Sequence, residues 1–171
     1  DLLVRIGHWA LVIGTVATWF THGKWHEWLG YMVLGVVVLR IVWGLMARGG
    51  SRYAHFAQFV RSPAHTLHYA KQIFNHREPR HLGHNPLGGW MIVAVLLTLS
   101  GVCGSGWLYT TDTYWGVKWV EDIHEGLSNF LIVLVALHIV GVIFSSLRHG
   151  ENLVAAMIHG QKRAPGKGDI I

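Results

Sequence analysis

The sequence predicts an all-α protein, an integral membrane bundle of four transmembrane helices forming one domain over residues 1–171. Two observations carry this reading. Charged residues make up only 13% of the 171 positions and hydrophobic ones 51%, whereas a soluble domain holds about 25% charged residues. A chain this short has too much surface to hide that excess in a water-soluble core. Four runs are also long and apolar enough to cross a hydrocarbon layer, which takes roughly 20 residues. Lipid admits only helices or closed barrels, and strand alternation is absent. Nine Trp and 21 Gly suit membrane interfaces and membrane helices respectively.

The first span covers about residues 4–22, with no charge between Ile6 and Thr21. It is too long, and lacks the flanks, for a cleavable signal peptide, so it reads as a retained helix. The second covers about 28–47 and carries Arg40 near its far end. A polar connection, 48–85, holds a short helix near Pro63 to Phe74, whose Leu67, Tyr69, Ile73 and Phe74 are expected on the membrane surface. Asn85-Pro86 opens the third span, 87–109, with a capping residue and a proline at the first helical position. The fourth, about 123–147, has Glu125 at its entry. The tail after Gly160 reads as flexible and solvated.

Orientation follows from the basic residues. Arg5, Arg48, Arg52, Arg61, Lys71, Arg77, Arg80, Arg148, Lys162, Arg163 and Lys167 fall on one side, against Lys24 and Lys118 on the other. Both termini and the long connection are therefore expected on the cytoplasmic side of the membrane. The net charge of +5 then belongs to a surface beside lipid, and nucleic acid is excluded as its partner. The opposite face carries Asp112, Glu121, Asp122 and Glu125. These either steer a basic partner or form an ordinary solvated loop. Cys103 is the sole cysteine, which excludes an intrachain disulfide, a four-thiolate iron–sulfur site and covalently attached c-type haem. It reads as a small core residue.

Thirteen histidines are present. Most, including His55, His65, His68, His76, His81, His84, His149 and His159, lie where water reaches them. His8, His22, His26, His124 and His138 fall on or beside apolar helices, where ionisable side chains are rare and functional. His124 and His138 are 14 residues apart (138 − 124). At about 100° and 1.5 Å per residue they share a face within roughly 40° and stand about 21 Å apart. One helix thus presents an imidazole to each leaflet, as two haems stacked across a membrane require. Depth pairs His8 with His138 and His26 with His124. Two axial nitrogens leave iron no open position, so the chemistry is electron transfer. His22 is also 14 residues from His8 (22 − 8), and spacing does not choose between His22 and His26. Arg40 follows His26 by the same interval (40 − 26); it either pairs with a haem propionate or snorkels to the interface. Gly14, Gly30, Gly126 and Gly141 either admit a flat macrocycle or mark close helix contacts.

The segments Asp1 to Trp9, His26 to Tyr31 and Gly83 to Gly89, with the His124/His138 pair, resemble the bacterial cytochrome b561 family, in the branch shared with the b-type subunits of nickel-iron hydrogenases. The resemblance covers essentially the whole chain. It implies two haems b per chain, with iron ligands His8, His26, His124 and His138, and prefers His26 to His22. It also implies exchange of electrons with quinone near the cytoplasmic haem, for which His84 and Asn85 are candidates, although capping is the simpler role for Asn85. A redox partner is implied as well: a cytochrome c, a hydrogenase or a dehydrogenase. Some members oxidise superoxide without a partner, passing the electron to quinone. A haem-free metal or proton carrier would gather its histidines at one depth, whereas here they separate into two levels.

Overall fold

Apolar sequence alone does not hold membrane helices together, because lipid tails solvate leucine as well as another helix does. Close packing by small residues must do that work, and here glycines supply it. The computed structural model describes residues 1–46, 54–75, 78–81, 83–164, 166 and 169–170, with the Phe74 side chain left out. Ala47, Arg48, Arg52, His76, Arg77 and Lys167, used above, lie outside the described residues. The helices are α1 (Leu2–Trp19), α2 (Gly23–Met46), α3 (Phe56–Phe59), α4 (Pro63–Phe74), α5 (Pro86–Tyr109), α6 (Lys118–His149) and α7 (Leu153–His159). Among the described residues, α1, α2, α5 and α6 are the four long and apolar enough to cross a membrane.

Local chemistry explains the helix starts. Asp1 accepts from the Val4 N–H at 3.1 Å to cap α1. Ser62 does the same for His65 ahead of Pro63. Asn85 accepts from Gly88 at 2.7 Å ahead of Pro86. Each pairs an oxygen that satisfies an orphan N–H with a residue suited to the first turn. Helix α6 ends at Gly150, whose φ of 58° is the left-handed conformation that stops a helix.

Helices α1 and α2 form one hairpin, α5 and α6 another, and α2 joins them by packing on α5. The seam is Val33, Val37, Leu96, Leu99 and Leu131, with Cys103 and Phe56 against it. At Gly14 a Cβ would stand 2.8 Å from Val33 and 3.1 Å from Met32, so this glycine sets the approach of α1 to α2. Gly30, Gly126 and Gly141 have nothing within 4 Å of a Cβ position. Helices α1 and α6, at the free edges of the two hairpins, do not share a packed seam of this kind. The bundle is therefore open along one side. Trp25, Trp28, Trp115 and Trp119 are exposed around the end that holds the two hairpin turns, as an interfacial aromatic belt would be.

Two expectations about the polar segments are corrected. Tyr69 does not lie on the membrane surface: it is buried, with the His81 ring 5.2 Å away. Burial together with the Glu78 charge pushes its hydroxyl up to about 12. Of the described side chains in the expected set, Leu67 is strongly exposed and Ile73 is half-buried. Nor is the tail after Gly160 simply solvated. Buried Arg80 bonds Glu151 at 3.0 Å, Asp169 at 2.5 Å and the Arg163 carbonyl at 3.1 Å, and the Ile170 N–H returns to the Arg80 carbonyl at 2.8 Å. A buried guanidinium demands acceptors, and the tail brings two of the three. Arg5 donates to the Ile158 carbonyl and Trp9 to that of Met157, which fastens α7 over the start of α1.

Replacing Gly14 by Leu is expected to destabilise the α1–α2 hairpin by about 1–3 kcal/mol through overpacking, seen as a lower unfolding temperature in detergent. Gly35→Ala, with no atom within 4 Å of the new methyl, serves as the tolerated counterpart. Equal sensitivity at the two sites would contradict the packing role of Gly14.

Candidate functional site

The open side of the bundle is where the membrane histidines meet. His8 on α1 faces His138 on α6 with ring centres 6.4 Å apart, and His26 on α2 faces His124 on α6 at 6.1 Å. The interplanar angles are 52° and 74°, so neither pair is stacked flat. All four rings are half-buried. His22 is not brought to the site. Helix α1 ends at Trp19, so the helical phase relating His22 to His8 runs out before it, and the side chain is exposed in the connection.

A metal bound by two imidazole nitrogens at about 2.0 Å each, with ring radii of about 1.1 Å, sets the ring centres about 6.2 Å apart. Both pairs fit that separation. The open Cβ positions at Gly30, Gly126 and Gly141 leave backbone for a flat macrocycle to lie against. The residues present therefore fit a bis-imidazole haem at each level. Among the described residues, no three of His, Cys, Asp and Glu gather to hold a bare metal ion.

The His26–His124 pair is oriented by backbone carbonyls. His26 Nδ1 lies 2.9 Å from the Thr18 oxygen and His124 Nδ1 lies 3.0 Å from that of Val102. A carbonyl oxygen only accepts, so each Nδ1 carries the proton and each Nε2 keeps its lone pair for a metal. Thr18 lies in the last turn of α1, where carbonyls lack helical partners. Val102 is mid-helix, and there the approach depends on Gly106. A Cβ at that position would stand 3.1 Å from His124 Cε1 and 3.3 Å from Nδ1. Ser105 Oγ stands 3.2 Å from the same nitrogen. The His8–His138 pair differs: His8 Nδ1 is sealed from solvent and has no hydrogen-bond partner among the described residues.

Arg40 does not snorkel outward. It is buried, donates to the Ala54 carbonyl at 3.3 Å, and lies over the Phe56 ring at 4.8 Å. The side chain thus stays inside the bundle near its cytoplasm-expected end. Other histidines have local work. His55 caps α3, His68 pairs with Gln72, and His81 donates to the Pro79 carbonyl. Sequence reasoning did not anticipate Thr18, Val102, Ser105 and Gly106 as supports. The small-residue run Gly101, Gly104, Ser105, Gly106 was the available signal for the last two.

Fold and site together define a membrane bundle whose helices present facing imidazoles to an open side. A family profile described as prokaryotic cytochrome b561 matches residues 1–160, and the chain belongs to that family. It is accordingly a bacterial membrane cytochrome of the b type, binding haem b and serving electron transfer. Comparison with curated proteins and with solved structures returned no match.

Gly106→Leu is expected to displace the His124 ring and lower the haem content per purified chain, measured as the pyridine haemochrome. An unchanged haem content would contradict the support assigned to Gly106.

Proposed function

We propose that this chain is a dihaem electron-transfer subunit of the bacterial inner membrane. In this reading it carries electrons across the bilayer between the quinone pool and a redox partner, a cytochrome c or a hydrogenase or dehydrogenase subunit. The observation that carries the reading is the presence of two facing histidine pairs, at 6.4 and 6.1 Å, whose α6 members, His124 and His138, are 14 residues apart. Haem b held between two imidazoles supplies a one-electron couple with no open position for oxygen.

The chain's own groups have distinct roles. His8 and His138 grip one iron, and His26 and His124 the other. The Thr18 and Val102 carbonyls keep the outer imidazoles in the ligating tautomer. Arg40, with one hydrogen bond among the described residues, is available to a propionate. The basic residues supporting the expected orientation put His8, His138 and Arg40 at the cytoplasmic level, where exchange with quinone is proposed.

At the other face Asp112, Glu121, Asp122 and Glu125 are exposed, with Lys118 paired to Asp122. An acidic surface attracts a basic protein and repels superoxide. It therefore favours a protein partner over direct superoxide oxidation.

His138→Ala is expected to reduce the haem-to-chain ratio from two to one while leaving a low-spin b spectrum from the outer site. His26→Ala should remove the other haem, and His22→Ala should remove none. Two haems retained in His138→Ala, or one lost in His22→Ala, would refute the ligand assignment.

A further inference from the structure

His84 precedes α5 and takes no part in the pairs described above. Its Nδ1 is sealed from solvent and has no hydrogen-bond partner among the described residues. A buried, unsatisfied imidazole nitrogen is destabilising, so a native protein is expected to give it a partner. Burial holds the ring neutral, its pKa pushed down to about 4, and the neighbouring charges adding to this come from Lys162, Arg40, His138 and His8. All four are basic groups. The same neighbours locate His84 within electrostatic reach of the inner histidine pair and of Arg40.

The framing of Arg40 and His84 is continuous. The Arg40 guanidinium lies over Phe56, Phe56 packs edgewise on Phe59 with centres 5.8 Å apart, and Phe59 meets His84 at 4.9 Å. Gly44 admits this arrangement: a Cβ there would stand 2.3 Å from the Phe56 ring and 2.7 Å from Arg40 Nη1. Gly89 likewise leaves room for the Phe59 carbonyl, which would be 2.5 Å from its Cβ. An underused guanidinium and an orphaned imidazole thus stand at the two ends of one aromatic pair, beside the inner histidines.

We infer that His84 and Arg40 form the seat for the propionate carboxylates of the haem at the His8–His138 level. This rests on the dihaem reading above. The two propionates of a haem answer both needs: one accepts the imidazole N–H and the other neutralises the guanidinium. A quinone carbonyl would satisfy the imidazole but leave the local positive charge uncompensated. The neutral state of His84 suits the role, because it donates a hydrogen bond without adding to that charge.

The test compares His84→Phe, which keeps a ring against Phe59 but removes the donor, with His84→Asn, which retains an N–H near the same place. Purified haem-loaded protein is mixed with excess apomyoglobin as a haem acceptor, and each haem is followed by absorbance alongside a redox titration. In His84→Phe one haem should leave at least tenfold faster than in the wild type. Its midpoint potential should fall, since an unshielded propionate favours ferric iron. The other haem should be unchanged. His84→Asn should stay close to wild type, and Arg40→Gln should affect the same haem as His84→Phe.

Wild-type release rates and potentials in His84→Phe would overturn the inference while leaving the dihaem reading intact. So would loss of both haems together in both His84 variants, which marks a purely structural role. A raised KM for quinol with both haems undisturbed would overturn it in favour of a quinone contact. A wild-type chain holding fewer than two haems would overturn both.

Discussion

The separation of facing imidazoles governs this structure. Two side chains that approach to about 6 Å without touching leave a slot for one atom between them, and the bundle repeats that slot at two depths. To do so it leaves α1 and α6 without a shared seam, and so gives up helix contact along one side. The remaining contacts carry the fold: the glycine-mediated approach of α1 to α2, and the Val33, Val37, Leu96, Leu99 and Leu131 seam between the hairpins. A group occupying the open side would replace the missing contacts, so haem binding and bundle stability are expected to be linked.

Polar atoms inside a membrane protein need partners, and the distribution of partners here divides the two levels. At the His26–His124 level, carbonyls of Thr18 and Val102 satisfy the imidazole N–H groups from within the protein. At the His8–His138 level, His8 Nδ1 and His84 Nδ1 are sealed and find no partner among the described residues. The first pair is thus oriented by the protein's own backbone, and the second is not. Beyond it, the Arg80 hub and the α7 contacts with Arg5 and Trp9 tie the tail over the same end of the bundle.

Much of this was legible in the sequence where the information is local or periodic. Asn85-Pro86 marks a helix start whatever the fold around it, and Pro63 to Phe74 likewise. The 14-residue interval between His124 and His138 is a property of one uninterrupted helix. The same interval misleads at His22, because it presumes that α1 continues past Trp19. What stayed hidden depends on contacts between distant elements. Nothing near Gly106 in sequence says that His124 will lie over it. Arg80 reads as one more loop cation until Glu151 and Asp169 arrive from the far end of the chain. Tyr69 follows the same pattern: its surface reading fails because His81 and the start of α5 cover it.

The central claim is that each histidine pair holds one iron porphyrin. Its most direct measurement is the haem stoichiometry of the intact chain, expressed with ample haem and purified in detergent, by pyridine haemochrome against amino-acid analysis. Two haems b per chain, with a low-spin reduced-minus-oxidised spectrum, is the predicted result. A single haem would leave one pair without a function, and a protein free of haem would contradict the account outright.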